Sequence, residues 1–447
     1  MRRHLRVSIA ALLVALAPGA LSTAQTPPIS PPISPPTAPP TAPPTAPPAA
    51  AADPIRRDFD AFAVYLTRKG TLSADDRANA AALAGKIRQS LASADDPARW
   101  AMLAQIGVWT DDPALQDEAF AALLDRQPRN ETAMAQWIAA LNRRADYDRA
   151  ITETNKRIPD VTKAPRVRLA LVETFVGQNR LEDARVALEQ LATVPPDINL
   201  RKMQLQTRVA RLAQLWAAEE ALRTADDASA TNPIVEFVTT KGVVRVELFE
   251  GQAPESVRGI VSLVDGGTYN GTRFHRRIPG FAVLGGDPNS KPGSTGRAGW
   301  GTVGWRLPDE GALPAHRVAF SGAVGLCKAV DPKSPGGFAP NSSGGQFFFT
   351  LQPAEFLQDA PLAFTTVGRI LDGFEVAAQL QPGDEIVAAR TVRKGQGEGK
   401  PGTAPELATA FEMSVPSSKP APAQRPPTGG PTITPGTGAP PVRPATR

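Results

Sequence analysis

The sequence is short of the residues on which most enzyme chemistry rests. Its 447 residues include one cysteine, Cys327, and three histidines, His4, His275 and His316. One cysteine excludes an intrachain disulfide. His4 lies in a leader-like segment, and two histidines with one cysteine cannot build an ordinary zinc centre without several carboxylates. Histidine is too scarce to favour Ser-His-Asp hydrolysis. The glycine-rich segment Asp287–Trp305 lacks Gly-Lys-Ser/Thr and the strand-then-helix setting of a phosphate-cradling loop. The apolar run Val7–Leu16 is short for a membrane span. The net charge of +5 is modest. No Lys/Arg cluster lies on a recognisable reading helix, so the basic balance reads as a solvated surface and not as a nucleic-acid face. Nothing asks for a metal or a cofactor.

What is present is unevenly distributed. The 46 prolines concentrate in Thr26–Pro48 and Pro416–Pro444. Residues 1–24 read as an export signal: Arg2, Arg3 and Arg6 precede the apolar run, Pro18-Gly19 breaks it, and Ser22-Thr23-Ala24 offers a cleavage site. The expectation is an exported protein, periplasmic or extracellular, without stable membrane insertion after cleavage; an uncleaved anchor is the alternative. Residues 25–53 repeat PPIS and PPTA. Tandem prolines remove donors and fix the backbone near polyproline II, which makes a semi-rigid spacer. Residues 396–447 are polar and rich in Pro and Gly, the composition of a disordered tail.

Between these flanks lie two regions of opposite character. From Pro54 to Ala230 the chain is rich in Ala, Leu, Arg, Asp and Glu, and nearly free of glycine. Apolar residues recur at helical spacing, as in Leu181, Ala184, Leu188 and Leu191. Tyr147, Leu181 and Leu215 are spaced 34 apart (181 − 147 and 215 − 181), as are Ala150, Ala184 and Ala218, and Trp137, Leu171 and Leu205. Ala119-Phe120 against Ala150-Ile151 suggests an earlier unit at a spacing of 31 (150 − 119). Small alanines at one phase and large apolar residues at another suit closely packed helix pairs. This period resembles that of tetratricopeptide repeats and predicts an α-helical solenoid of about three units over residues 54–230. Either its concave groove takes a protein partner, or the region is a helical stalk or dimerisation element.

Beyond Asn232 the period becomes two. Ile234–Thr239 and Val243–Phe249 bracket a turn, and Val244, Val246 and Leu248 alternate with Arg245 and Glu247. Ala253–Asp265 reads as an amphipathic helix. Further strand-like runs are Val318–Cys327, Gln346–Leu351, Phe364–Ile370 and Ile386–Val392. Two motifs stand out: Phe274-His275-Arg276-Arg277-Ile278-Pro279-Gly280-Phe281 with Gly285-Gly286-Asp287, and Asn341-Ser342-Ser343-Gly344-Gly345-Gln346-Phe347-Phe348-Phe349. One basic side chain among rings suits gripping an uncharged apolar group and aiming one strong donor at it. The pair resembles the motifs of the cyclophilins, the β-barrel peptidyl-prolyl isomerases. The resemblance covers Pro233 to Lys394. It implies a closed β-barrel capped by helices over residues 232–395, and a multidomain chain that accelerates rotation of Xaa-Pro bonds in exported proteins.

By that resemblance Arg276 is the catalytic donor. His275, Phe281, Ala282, Gln346, Phe348, Phe356, Leu357, Phe364 and Lys328 would contact substrate, a proline-containing polypeptide. Phe347 and Phe349, alternating with Phe348, read as core; His316 reads as a loop residue and Cys327 as a small buried hydrophobe. Several positions depart from the family. Leu284 stands where a glutamine usually orients the arginine, and Ala282 follows Phe281 where the family often has Met. Lys328 replaces an asparagine, Phe356 a tryptophan, and Phe364 a His or Tyr. A proline-binding module or chaperone without useful turnover is therefore the second reading.

Overall fold

The computed structural model describes residues 53–69 and 72–393. The leader assigned to 1–24, all of the 25–53 spacer but Asp53, and the tail assigned to 396–447 lie outside the described residues. No described helix is long and apolar enough to cross a membrane.

Nine helices come first among the described residues: α1 (Pro54–Lys69), α2 (Ala74–Leu91), α3 (Pro97–Thr110), α4 (Pro113–Arg126), α5 (Glu131–Arg144), α6 (Tyr147–Arg157), α7 (Pro165–Gly177), α8 (Leu181–Glu189) and α9 (Pro196–Ser229). Their starts are written locally. Ser73, Asp96, Asp112 and Asn130 each accept a first-turn N–H at the N-cap, and proline opens α3, α4, α7 and α9, where its missing donor costs nothing. The helices bury a continuous core that includes Leu103, Phe120, Trp137, Ile138 and Leu141.

The 34-residue spacing holds one unit further back than the sequence indicated. Helices α3, α5 and α7 start at 97, 131 and 165, and α4, α6 and α8 at 113, 147 and 181, all 34 apart (131 − 97, 147 − 113). The unit read at a spacing of 31 is thus corrected: Gln116, not Ala119, corresponds to Ala150. Glutamine fits this small-residue position because Gly107 faces it. A Cβ on Gly107 would sit 2.9 Å from the Gln116 backbone nitrogen, and the Gln116 Nε2 donates to the Gly107 carbonyl at 2.9 Å. The turns repeat as well. Asp111, Ala145 and Asn179 are left-handed, with φ of 53°, 59° and 58°. After each, an N–H closes back on the carbonyl five residues earlier: Asp112 to Gly107, Asp146 to Leu141, Arg180 to Phe175. At the next position, 213, there is no turn. Leu205, Leu215 and Ala218, expected on a helix pair, lie on the single helix α9.

The second region holds β1 (Ile234–Thr239), β2 (Gly242–Leu248), α10 (Pro254–Asp265), β3 (Arg276–Ile278), β4 (Ala282–Gly285), β5 (Ala323–Leu326), β6 (Phe347–Thr350), β7 (Thr366–Asp372), α11 (Phe374–Gln379) and β8 (Ile386–Arg393). The strands form one antiparallel sheet in the order β3-β4-β6-β5-β7-β2-β1-β8. The sheet curls. Beside its outermost strands, Phe274 N–H donates to the Asp384 carbonyl and Ile386 N–H to the Thr272 carbonyl, both at 2.8 Å. Phe237, Tyr269, Phe347 and Phe349 fill the inside, with Val257, Ile260 and Leu263 of α10 covering it. The short strands β3 and β4 were not legible as strands in the sequence.

The helical and sheet regions belong to one compact unit. The ends of the repeat helices are the docking points. The last carbonyls of a helix have no partner inside it. Here the Arg143 carbonyl accepts from Gly280 N–H at 2.6 Å, and the Arg144 carbonyl from Arg277 Nη2 at 3.2 Å. Tyr147 donates its hydroxyl to the Leu351 carbonyl at 2.5 Å and stacks on Phe374. Its ring fits because α7 ends in glycine: a Cβ at Gly177 would lie 2.2 Å from the Tyr147 Cζ. Asn179 and Ser321 exchange two 3.0 Å bonds, side chain to backbone in both directions. Trp216 meets Phe320 edge-on at 4.7 Å.

The end of α9 supplies the charges of this interface. Acids in the last turn of a helix oppose its dipole, yet Asp226 and Asp227 sit there, with Glu219 further back on the same helix. They are paired with arginines of the sheet region. Arg317, whose side chain is fully buried, donates to Glu219 at 2.9 Å twice and to Asp226 at 2.8 Å, and lies 3.7 Å over the Phe249 ring. Arg369 bridges Glu247 at 2.7 Å and Asp227 at 2.6 Å. Removing one partner of such a buried group strands the other charges. Arg317→Ala is therefore expected to lower the unfolding free energy of the full chain by about 3 kcal/mol or more, read from urea denaturation.

Candidate active site

The register of four strands builds the site. Arg276 on β3 pairs with Leu284 on β4, Leu284 with Phe348 on β6, and Phe348 with Gly325 on β5. Paired residues on neighbouring antiparallel strands share a face. The next row, Arg277, Val283, Phe349 and Val324, takes the opposite face, and its three apolar members are buried in the sheet core. Two adjacent arginines therefore diverge. Arg277 runs inward to the Leu380 and Arg144 carbonyls. Arg276 is exposed, and its side chain makes no hydrogen bond or ion pair among the described residues.

Beside Arg276 lies an apolar wall. Phe348, Leu357 and Phe364 are buried with Ala282, and Phe281, Leu284, Cys327 and Phe356 pack against them. Phe281 and Phe356 are half-buried and stacked, centroids 5.8 Å apart. Phe348 lies flat over β5 because position 325 is glycine: a Cβ there would stand 2.1 Å from its Cζ. Gln346 reaches across, its Nε2 donating to the Gly301 carbonyl at 2.8 Å, and so ties the glycine-rich segment to the strand. The arrangement offers a free cation at the lip of an aromatic and aliphatic recess. Among the described residues no group of His, Cys, Asp and Glu could hold a metal ion.

The comparisons agree with this geometry. Residues 234–395 match the family model described as cyclophilin type peptidyl-prolyl cis-trans isomerase/CLD. The peptidyl-prolyl cis-trans isomerase-like 1 of Aspergillus fumigatus is 32% identical over 36% of this chain and 96% of its own. The proteins of the same name from Neurospora crassa and Homo sapiens are 33% and 30% identical, over 96% and 93% of their lengths. The chain belongs to the cyclophilin-type peptidyl-prolyl cis-trans isomerases. Its C-terminal region is a cyclophilin domain, with the fold's curled sheet, and a helical region precedes it.

Not every residue expected at the cyclophilin groove presents itself there. Ala282 is fully buried and offers no surface. Lys328 differs most from expectation: its ammonium turns away into Asp309 Oδ2 at 2.7 Å and the Leu362 carbonyl at 2.9 Å, leaving only 2% of the side chain exposed. A buried ammonium needs such acceptors, so the lysine serves the loop behind the groove and does not stand in for a peptide-binding asparagine. Phe364 is likewise turned inward, edge-on to Phe338 and Phe348. Cys327 is half-exposed by position, and burial of its sulfur pushes the thiol up to about 12, so it is no nucleophile at neutral pH. Phe347 and Phe349 are core, as expected.

His275 stands beside Arg276, packed under Gly299, with its Nδ1 buried and unpartnered. Burial lowers its pKa below the ordinary 6.5; Asp287 works against this and Arg276 adds to it. The unfolded chain therefore takes up the proton first. The stability contributed by neutral His275 is complete above about 6.5 and is lost as pH falls through the folded value. His275→Gln should flatten the decline of unfolding free energy between pH 7 and pH 5, measured by urea titrations at each pH.

Proposed function

We propose that this chain accelerates the rotation of Xaa-Pro bonds in exported polypeptides, with Arg276 as the catalytic group. The observation that carries the reading is the row Arg276, Leu284, Phe348: a guanidinium with no partner among the described residues, held on the same face as an apolar recess. A prolyl amide resists rotation because resonance gives a barrier near 20 kcal/mol. Lowering it requires no nucleophile. It requires the ring to be gripped and the twisted amide to be favoured over the planar one. Phe281, Phe348, Phe356 and Leu357 form the recess for the ring. Twisting makes the amide nitrogen basic, and the Arg276 guanidinium donates to it at that moment. Gln346 and His275 both meet the glycine-rich segment, at Gly301 and Gly299.

The helical region completes the reading as a tetratricopeptide-like array. Three hairpins at a constant 34-residue step, each closed by a left-handed residue at the same position, support that assignment. Its remaining open surface would recruit the client or a partner protein. The leader-like composition of 1–24 and the proline-rich spacer of 25–53 support export, with the spacer holding the folded part away from its start.

One observation favours a clamp that binds proline segments without turnover. Leu284 faces Arg276 across the strand pair and gives its guanidinium nothing to be oriented by. The two readings separate in one experiment on the full chain, with prolyl-peptide exchange rates measured by NMR. Arg276→Ala should lose about a hundredfold in kcat/KM with no change in fold, the usual consequence of removing one transition-state donor. Leu284→Gln should raise kcat several-fold. Peptide binding without any acceleration by the wild type would leave the clamp standing.

A further inference from the structure

The wall of the recess is not held by the cyclophilin domain alone. Phe356 and Leu357 lie on a single 3-10 turn, Glu355–Gln358, and the helical region grips that turn at both ends. At its start, Arg208 of α9 donates Nε to Glu355 Oε1 at 3.1 Å and Nη2 to the Pro353 carbonyl at 2.7 Å. At its end, Arg211, one turn further along the same helix face, donates to both Asp359 carboxylate oxygens, at 2.8 and 2.9 Å. The opposite half of the wall is tied to the same body. Gly280 N–H, next to Phe281, bonds the Arg143 carbonyl, and the Phe281 carbonyl accepts from Leu351 N–H at 2.7 Å, whose own carbonyl is taken by Tyr147. The stacked pair Phe281 and Phe356 thus spans two segments, each anchored to helices outside the sheet.

We propose that Arg208 and Arg211 are positioning residues for the isomerase recess, and that the helical region sets the spacing of its aromatic wall. The inference rests on the isomerase reading above for its kinetic consequence, though not for the geometry. Glu355 is 8% exposed, and a carboxylate that buried requires a donor. Without Arg208 it must turn towards water, and Phe356 follows it on the same turn. The Arg211–Asp359 pair is half-exposed on both sides, so its worth to overall stability is small. Its use is to fix where the turn ends. The wall contacts the proline ring in the planar and in the twisted state alike. Loosening it therefore weakens uniform binding, which raises KM more than it lowers kcat.

The test uses the full chain. Prolyl-peptide exchange is followed by NMR over a range of peptide concentrations, thermal melting monitors the fold, and the methyl signals of Leu357 (assigned by Leu357→Val) report the wall. Arg208→Leu with Arg211→Leu should raise KM by about fivefold and change kcat less than twofold, with shifted Leu357 methyls; loss of the donor to buried Glu355 lowers the melting temperature, and the chain stays folded at the temperature of the assay. The exchange of charges, Arg211→Asp with Asp359→Arg, should keep KM near the wild-type value where Arg211→Asp alone does not. Unchanged KM and unchanged Leu357 signals in the double variant would overturn the proposal, as would a loss of activity that merely tracks the unfolded fraction. If the wild type proves inactive, the isomerase reading fails separately; peptide affinity and the Leu357 shifts then decide the positioning role.

Discussion

Side-chain alternation along one three-residue strand divides the work of this protein. Arg276 and Arg277 are chemically identical neighbours, and the period of two sends them to opposite faces of β3. One guanidinium stays in water beside the recess. The other is drawn into the seam, where burial lowers its pKa from the ordinary value and the Arg144 carbonyl at the end of α5 and the Leu380 carbonyl receive it. A slip of one residue would exchange the two and spoil both the groove and the junction with the helices. The paired rows through β4 and β6 prevent that slip, because Val283 and Phe349 cannot leave the core without exposing large apolar surface.

The junction is built from what repeat helices have to spare. Each hairpin ends with carbonyls that its own helix cannot satisfy, and with a turn residue projecting a short side chain. The sheet region uses these features: the Arg143 and Arg144 carbonyls, the Asn179 amide, and the Tyr147 ring set in the space left by Gly177. Two apolar clusters cross the junction, one around Trp216 and Phe320 and one around Tyr147, Leu351 and Phe374, and directional bonds with a buried ion network around Arg317 set the register of the two regions. Such contacts have few alternative geometries, so the two regions meet in one relation.

Much of this was legible in the residues. The motif around His275–Phe281 and the segment Gln346–Phe349 carried the family, and the alternation in Val244, Val246 and Leu248 gave the sheet core. The 34-residue step was visible wherever alanine marked the small phase. It was misread by three residues where Gln116 holds that phase, because the compensating glycine lies on a different helix and no linear pattern links the two. Lys328 was misplaced for a similar reason. Its acceptors, Asp309 and the Leu362 carbonyl, lie 19 and 34 residues away in opposite directions. Arg208 and Arg211 resembled any solvated arginines of a helix, since what distinguishes them is contacts nearly 150 residues distant in sequence. Residues whose role is set by their own strand could be read. Residues whose role is set by the meeting of two regions could not.

The uninterrupted helix α9 has a consequence for how the molecule can change. Where the preceding units place Asp111, Ala145 and Asn179 in a left-handed bend, position 213 continues the helix, and a single rod of 34 residues stands in place of a further hairpin. A solenoid lengthens by adding units to a free end. This rod closes one end, because its further half is already spent against the sheet. Any growth or loss of repeats must therefore occur at the amino-terminal side, and it would leave the spacing between the rod and the groove untouched. Helices can be added or lost on that side while the groove beneath stays as it is.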